Sequence, residues 1–165
     1  MQGEESQVSQ PVDDALKSLE SRISALEDIE AIKRLQADYA AACDDGYDAD
    51  RVAAMFTEDG VWDGGHLGRV EGREAVRNFF AKSSEIFLFA VHFMIAPNIE
   101  LAGDGRSARG SWYLWEPCTI SDGGDGRRHW SATVYDIEYR KSDEGWQFRE
   151  MNLDIRIFAP VDEGW

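Results

Sequence analysis

Basic residues are scarce in this sequence: 17 Lys+Arg stand against 32 Asp+Glu, a formal net charge of −15 over 165 residues. That balance excludes a nucleic-acid partner, because phosphate binding needs a positive face. Cysteine is almost absent. Cys43 and Cys118 are too few for a disulfide framework and show no CxxC spacing, so a reducing, cytoplasmic setting is expected. Long apolar runs are missing as well. The most apolar stretch, Ile86 to Ala96, is about half the ~20 residues of a spanning helix, and His92 interrupts it. It reads as a buried strand, and no membrane partner is expected. The polar, acidic start from Met1 to Gln10 lacks the basic-then-apolar order of a signal peptide. Histidine is also rare: His66, His92 and His129 form no HExxH and no pair four apart, so no metal site is expected. Gly64-Gly65 and Gly123-Gly124 sit in turns that open no helix, and no Gly-x-Ser-x-Gly elbow occurs. No nucleotide-binding loop is expected.

What is present is apolar and aromatic. The chain is 43% hydrophobic and 12% aromatic, which excludes wholesale disorder. At roughly 100–200 residues per domain, residues 1–12 read as a flexible tail and residues 13–165 as a single domain. From Asp13, with Asp13 or Asp14 able to cap a helix start, Leu16, Leu19, Ile23 and Leu26 follow 3-4-3 spacing, a two-heptad stripe. The pattern then changes phase to Ile29, Ile32, Leu35 and Tyr39. The first half of so long a helix packs on its own sheet or on a neighbouring subunit, and a homo-oligomer, dimer or trimer, is expected. Gly46 is the expected C-cap. A short amphipathic segment from Asp50 to Phe56 and a helix from Glu71 to Phe80 follow.

After Ser84 the pattern turns to strands: Phe87–Leu101, Ser107–Ile120, Arg128–Lys141 and Trp146–Ala159. Turn chemistry separates them: Ala102-Gly-Asp-Gly105, Ser121-Asp-Gly-Gly-Asp-Gly126 and Ser142-Asp-Glu-Gly145. Short loops between long strands mean antiparallel hairpins, because a parallel crossover needs a dozen residues or more. Helices first and a meander after give an α+β class, a cone-shaped α+β barrel with helices on a curved sheet around a cavity. On one face lie Trp112, Leu114, Glu116 and Cys118, and likewise His129, Ser131, Thr133, Tyr135, Ile137 and Tyr139. On the last strand, Phe148, Glu150, Asn152, Asp154, Arg156 and Phe158 share one side, with Met151, Leu153, Ile155 and Ile157 on the other.

His92 is the first candidate for chemistry, set in Phe87-Leu-Phe-Ala-Val-His-Phe-Met-Ile-Ala96. Imidazole titrates near neutrality, and burial favours its neutral, proton-accepting form. A satisfied core histidine is the competing reading, and an orienting carboxylate decides between them. Asp44 and Asp45 follow Ala40-Ala-Ala-Cys43 at the negative end of the helix dipole, where a carboxylate needs a reason. Tyr39 precedes Asp44 by five residues, about 140° apart on an unbroken helix, so the two converge on one cavity only if the helix loosens near Gly46. Cys43 and Cys118 read as core residues.

Glu27-Asp-Ile-Glu-Ala-Ile-Lys33, Gly110-Ser-Trp-Tyr-Leu114 and Arg156-Ile-Phe158 together resemble the SnoaL-like branch of the nuclear transport factor 2-like (cystatin-like) superfamily. Its eliminating members include bile acid 7α-dehydratase and scytalone dehydratase. The resemblance runs from about Leu26 to Ala159 and implies a cofactor-free lyase. It puts a catalytic tyrosine on Tyr39, an aspartate on Asp44 and a histidine on His92, with an acidic strand residue near Glu116 and a late arginine on Arg156. The implied substrate is an apolar hydroxylated ring or aromatic compound, held by Phe93, Met94, Trp112, Tyr113, Trp115 or Tyr135. The Ser121–Gly126 loop and the tryptophans 112 and 115 depart from the family pattern and point to a flatter, more aromatic substrate. Dehydration or loss of a small fragment such as formaldehyde is the expected reaction. An isomerase or polyketide cyclase using the same pocket, or a non-catalytic ligand-binding or oxygenase accessory subunit, is the alternative.

Overall fold

The computed structural model describes residues 5–163, with side chains from residue 11 onward. Helix α1 runs Glu5–Asp44 and α2 Ala49–Ala54, followed by strand β1, Phe56–Asp63. A 3-10 turn at Gly65–Leu67 and strand β2, Arg69–Glu71, lead into α3, Arg73–Ile86. Strands β3 (Phe87–Ala90), β4 (Phe93–Leu101), β5 (Ser107–Ile120), β6 (Arg127–Ser142) and β7 (Gly145–Pro160) complete the chain. The three helices pack on a strongly curled sheet that forms a half-barrel, an α+β cone. The sheet order is β2-β1-β7-β6-β5-β3, with β4 also pairing β5.

The long hairpins follow from the turn sequences. Asp122 accepts from the N–H groups of Gly124 and Gly126 (2.9 and 3.0 Å), an Asx-type turn that closes β5–β6. Gly126 sits at φ +85°, and a Cβ there would meet Thr119 Cγ2 at 2.6 Å, so no other residue fits this corner. All pairs are antiparallel except β1 with β7, which run parallel.

Of the tail expected over residues 1–12, residues 1–4 lie outside the described residues, and α1 begins at Glu5 and runs through Pro11. Two expectations are corrected. The strand predicted over residues 87–101 is two strands, broken at Val91–His92. On β7, the expected grouping of faces fails because two bulges each invert the alternation. Tyr139 pairs Phe148 while Glu138 pairs Glu150, and Thr133 pairs Ile155 while Ala132 pairs Ile157. Arg149 and Arg156 are therefore the extra residues, and Phe148, Met151, Leu153, Ile155 and Phe158 all turn toward the concave side.

One end of the concave side is packed solid by Ile32, Phe56, Ile137, Tyr139, Phe148 and Met151. There the Trp112 indole donates to the Tyr139 hydroxyl (2.9 Å), which donates to Gln36 Oε1 (3.5 Å). The buried Asp28 carboxylate ties α1 to the β6–β7 hairpin by accepting from Lys141 Nζ (2.6 Å) and Trp146 Nε1 (2.9 Å). Burial opposes its charge, but these donors prevail and hold the Asp28 carboxyl below its ordinary range.

Candidate active site

The site begins where the edge strand lapses. Val91 still donates to the Pro117 carbonyl (3.2 Å), but His92 leaves the ladder and turns to the end of α1. Its backbone N–H and its ring Nδ1 both lie 2.8 Å from Asp44 Oδ1. A carboxylate only accepts, so Nδ1 carries the hydrogen and the Nε2 lone pair is left for the cavity. Nε2 lies 3.7 Å from Glu116 Oε1 on β5, and the His92 side chain is only 5% exposed. The imidazole thus stands between two carboxylates, either of which would stabilise it once protonated.

Helix α1 does not loosen before Asp44, as convergence with Tyr39 on the cavity would require; it holds its hydrogen bonds through the end. Asp44 instead stands behind His92, while Tyr39, about 1.4 turns earlier, enters the cavity. Gly46 (φ +72°) and Tyr47 (φ +58°) then both adopt the left-handed conformation. For a tyrosine that backbone is costly. It directs the Tyr47 ring into the cavity, where the hydroxyl donates to Glu116 Oε1 (3.4 Å) and the ring stands edge-on to His92.

The cavity holds about 240 Å³. Tyr39 and Phe80 reach it from helices α1 and α3 and Tyr47 from the turn after α1, while Trp62, Phe87, Leu114, Thr133, Tyr135, Leu153 and Phe158 line it from the sheet. Burial pushes the Tyr39, Tyr47 and Tyr135 hydroxyls well above the usual phenol range, so all three remain protonated donors. The buried Trp62 indole N–H stands beside the Tyr39 hydroxyl and has no hydrogen-bond partner among the described residues. Ser131 and Thr133 turn buried hydroxyls to the same space. Burial pushes the Cys118 thiol up to about 12, and Cys43 is shifted in the same direction, which removes both as nucleophiles. Among the described residues, no three His, Cys, Asp or Glu side chains gather as a metal site would need.

Of the residues expected at the site, the structure brings together Tyr39, His92, Glu116 and Tyr135 on the cavity wall, with Asp44 behind His92. The others lie elsewhere. Phe93 and Tyr113 point outward from the sheet and are more than half exposed. Met94 packs against the core outside the cavity lining. Trp112 fills the packed end, and Trp115 stacks on Trp130 at 5.2 Å on the outer face. Arg156, set outward by its bulge, pairs with Asp154 (2.9 Å) in solvent. Sequence reasoning missed Tyr47, Trp62, Phe80, Leu153, Ile155 and Phe158 as cavity residues. Ser131 and Thr133 carried a signal, since they share the strand face of Tyr135.

A curled sheet closed by helices over an apolar cavity, with an Asp-held histidine in its wall, defines a small-ligand α+β cone of the cystatin-like type. The chain belongs to the SnoaL-like domain family, whose pattern matches residues 24–152. No curated protein sequence matches it. Among solved structures, it is similar to a provisionally assigned aromatic ring hydroxylase from Novosphingobium aromaticivorans. The identity is 26% and the TM-score 0.73, covering 82% of this chain and 94% of that one. A hexachlorocyclohexane dehydrochlorinase from Novosphingobium barchaimii shares the fold at 20% identity and TM-score 0.76, covering 87% of this chain and 96% of its own. So does a provisionally assigned scytalone dehydratase from N. aromaticivorans, at 18% identity and TM-score 0.76, covering 84% and 90%.

Proposed function

We propose that this protein is a cofactor-independent lyase acting on an apolar hydroxylated ring or aromatic compound. The observation that carries the reading is the 2.8 Å contact between Asp44 and His92 Nδ1, which leaves Nε2 for the cavity. A binding module would not need that contact. His92 takes a proton from a substrate carbon, the C–H electron pair forms the new double bond, and the neighbouring C–O bond breaks. The resulting imidazolium, held by Asp44, returns the proton to the departing oxygen, so water leaves and the base is restored. Tyr39, kept protonated by burial, donates a hydrogen bond to a substrate oxygen on which negative charge develops. Once Nε2 carries the proton, Glu116 Oε1, 3.7 Å away, offsets the imidazolium charge from the cavity side. For loss of formaldehyde from a hydroxymethyl group the same base takes the hydroxyl proton, the C–O double bond of formaldehyde forms as the C–C bond breaks, its electron pair passes to the substrate carbon, and the imidazolium protonates that carbon.

Size narrows the substrate. An apolar cavity of about 150 Å³ accepts benzene, so about 240 Å³ suits a substituted one- or two-ring compound, with any larger body reaching out of the mouth. The cyclase and isomerase alternative is separated by mass. Incubation with a panel of hydroxylated aromatic, lignin-derived and steroid compounds, followed by mass spectrometry, should show loss of water or formaldehyde that His92→Ala abolishes. A product of unchanged mass identifies an isomerase or cyclase, and turnover unchanged in a folded His92→Ala protein refutes the mechanism.

A further inference from the structure

The first half of α1 has no role in the cavity. The SnoaL-like match begins at residue 24, and α1 extends in front of it with the side chains of Val12, Leu16, Leu19, Ile23 and Leu26 all 49–63% exposed. Their spacing is 4-3-4-3, which on a helix is one continuous seam about 21 Å long. At 100° per residue the seam lies about 160° round α1 from the face that Ile32, Gln36 and Tyr39 bury in the domain. The domain therefore stands on the far side from whatever covers the seam. The seam also ends where it should: the next two positions in register are Glu30 and Lys33, joined to each other by a 2.6 Å ion pair.

We infer that the seam pairs with the same seam of a second copy of this chain, as a parallel two-stranded coiled coil. Leu16 and Ile23 occupy the a positions and Val12, Leu19 and Leu26 the d positions, and Ile23 at a between Leu19 and Leu26 at d is the combination that favours two strands. Charge selects the orientation. The e positions are Asp13, Glu20 and Glu27, which an antiparallel pair would set against the same residues of the second copy. A parallel pair instead places Arg22, at g, beside Glu27 of the second copy. Continuity of α1 with the domain supplies the helix already formed, so a short seam is not burdened with nucleation.

The test is the mass of the full chain in solution by light scattering and sedimentation velocity, against a Leu19→Glu/Ile23→Glu variant. Both positions are exposed and outside the cavity, so the variant keeps its far-ultraviolet circular dichroism. The expected result is a mass twofold lower in the variant than in the wild type. A wild-type protein of a single 18.6 kDa chain, or a variant of unchanged mass, overturns the inference. Orientation is read from Leu26→Cys under oxidising conditions. Cys43 and Cys118 are buried and give no background. A parallel pair sets residue 26 against its own copy and cross-links into a dimer. An antiparallel pair separates the two thiols and leaves monomers on a non-reducing gel, which refutes the parallel arrangement.

Discussion

Strands β5, β6 and β7 cross both ends of the concave face, yet one end is solid and the other encloses a cavity. Along β6 the inward residues are Tyr139, Ile137, Tyr135, Thr133 and Ser131. The alternation never changes, but the side chains shrink, and space opens where Thr133 and Ser131 replace ring and branched aliphatic. Polar atoms divide less sharply, since Gln36 Nε2 at the packed end is buried without a partner among the described residues and the Tyr47 hydroxyl at the cavity end bonds Glu116. At the packed end the Trp112, Tyr139, Asp28 and Trp146 polar groups bond to other protein groups. At the cavity end the hydroxyls of Ser131 and Thr133, among the described residues, bond to none, which is the arrangement a ligand can complete. Inwardness is written in the strand period; whether the inside is filled is written in side-chain volume.

Four substitutions sharpen this division. His92→Ala at the cavity end should lower turnover by about 10²–10⁴-fold with little change in melting temperature; a stability loss as large as the activity loss would make His92 a packing residue. Phe148→Ala at the packed end should reverse the pattern. It should cost about 3–5 kcal/mol in denaturant unfolding, with ligand contacts intact in the protein that remains folded.

Asp28→Asn is the next largest, at about 1.5–3 kcal/mol at neutral pH, because two donors lose a charged acceptor. Its sign with pH is fixed. The Asp28 carboxyl is lowered in the folded protein from an ordinary value of 3.8. Its stabilisation is therefore complete above that value and is lost as pH falls through the lower folded value. Unfolding measured from pH 6 to pH 2 should show the wild type and Asp28→Asn converging. Thr133→Val should be smallest. Stability should change by less than about 1 kcal/mol, while affinity for a hydroxylated ligand falls about 2- to 10-fold by calorimetry. A large stability loss in Thr133→Val would mean that its hydroxyl serves the fold.

How much of this could be read in the sequence differs from strand to strand. On β5 and β6, the period of two places Leu114, Glu116, Thr133 and Tyr135 on the concave face, and the structure agrees. On β7 it fails after Phe148, because a bulge adds one residue and nothing in Arg149 or Arg156 announces it. Arg156 was lost as a site residue for that reason. Trp112 has the right face and the wrong end, since the period carries no information about distance along the strand. Phe93 and Tyr113 fall on the opposite face from their neighbours His92 and Leu114, which the same alternation makes plain once the strand break is known. Tyr47 was invisible because its place in the cavity depends on a left-handed backbone that the side chain itself disfavours. His92 and Asp44 stand out in the sequence as a histidine in an apolar run and a carboxylate at a helix end, and the family resemblance supplies their catalytic assignment together with that of Tyr39. The geometry adds that Asp44 works from behind His92, and so needs no break in α1.

The central claim is that Asp44 fixes His92 with Nδ1 protonated and Nε2 available as a base. Asp44→Asn tests it most directly, because the amide can donate to Nδ1 and so favour the opposite tautomer while keeping the shape of the side chain. Turnover of the elimination substrate by this variant should fall by at least about 10²-fold, with ligand affinity retained. Wild-type turnover in a folded Asp44→Asn protein would contradict the account.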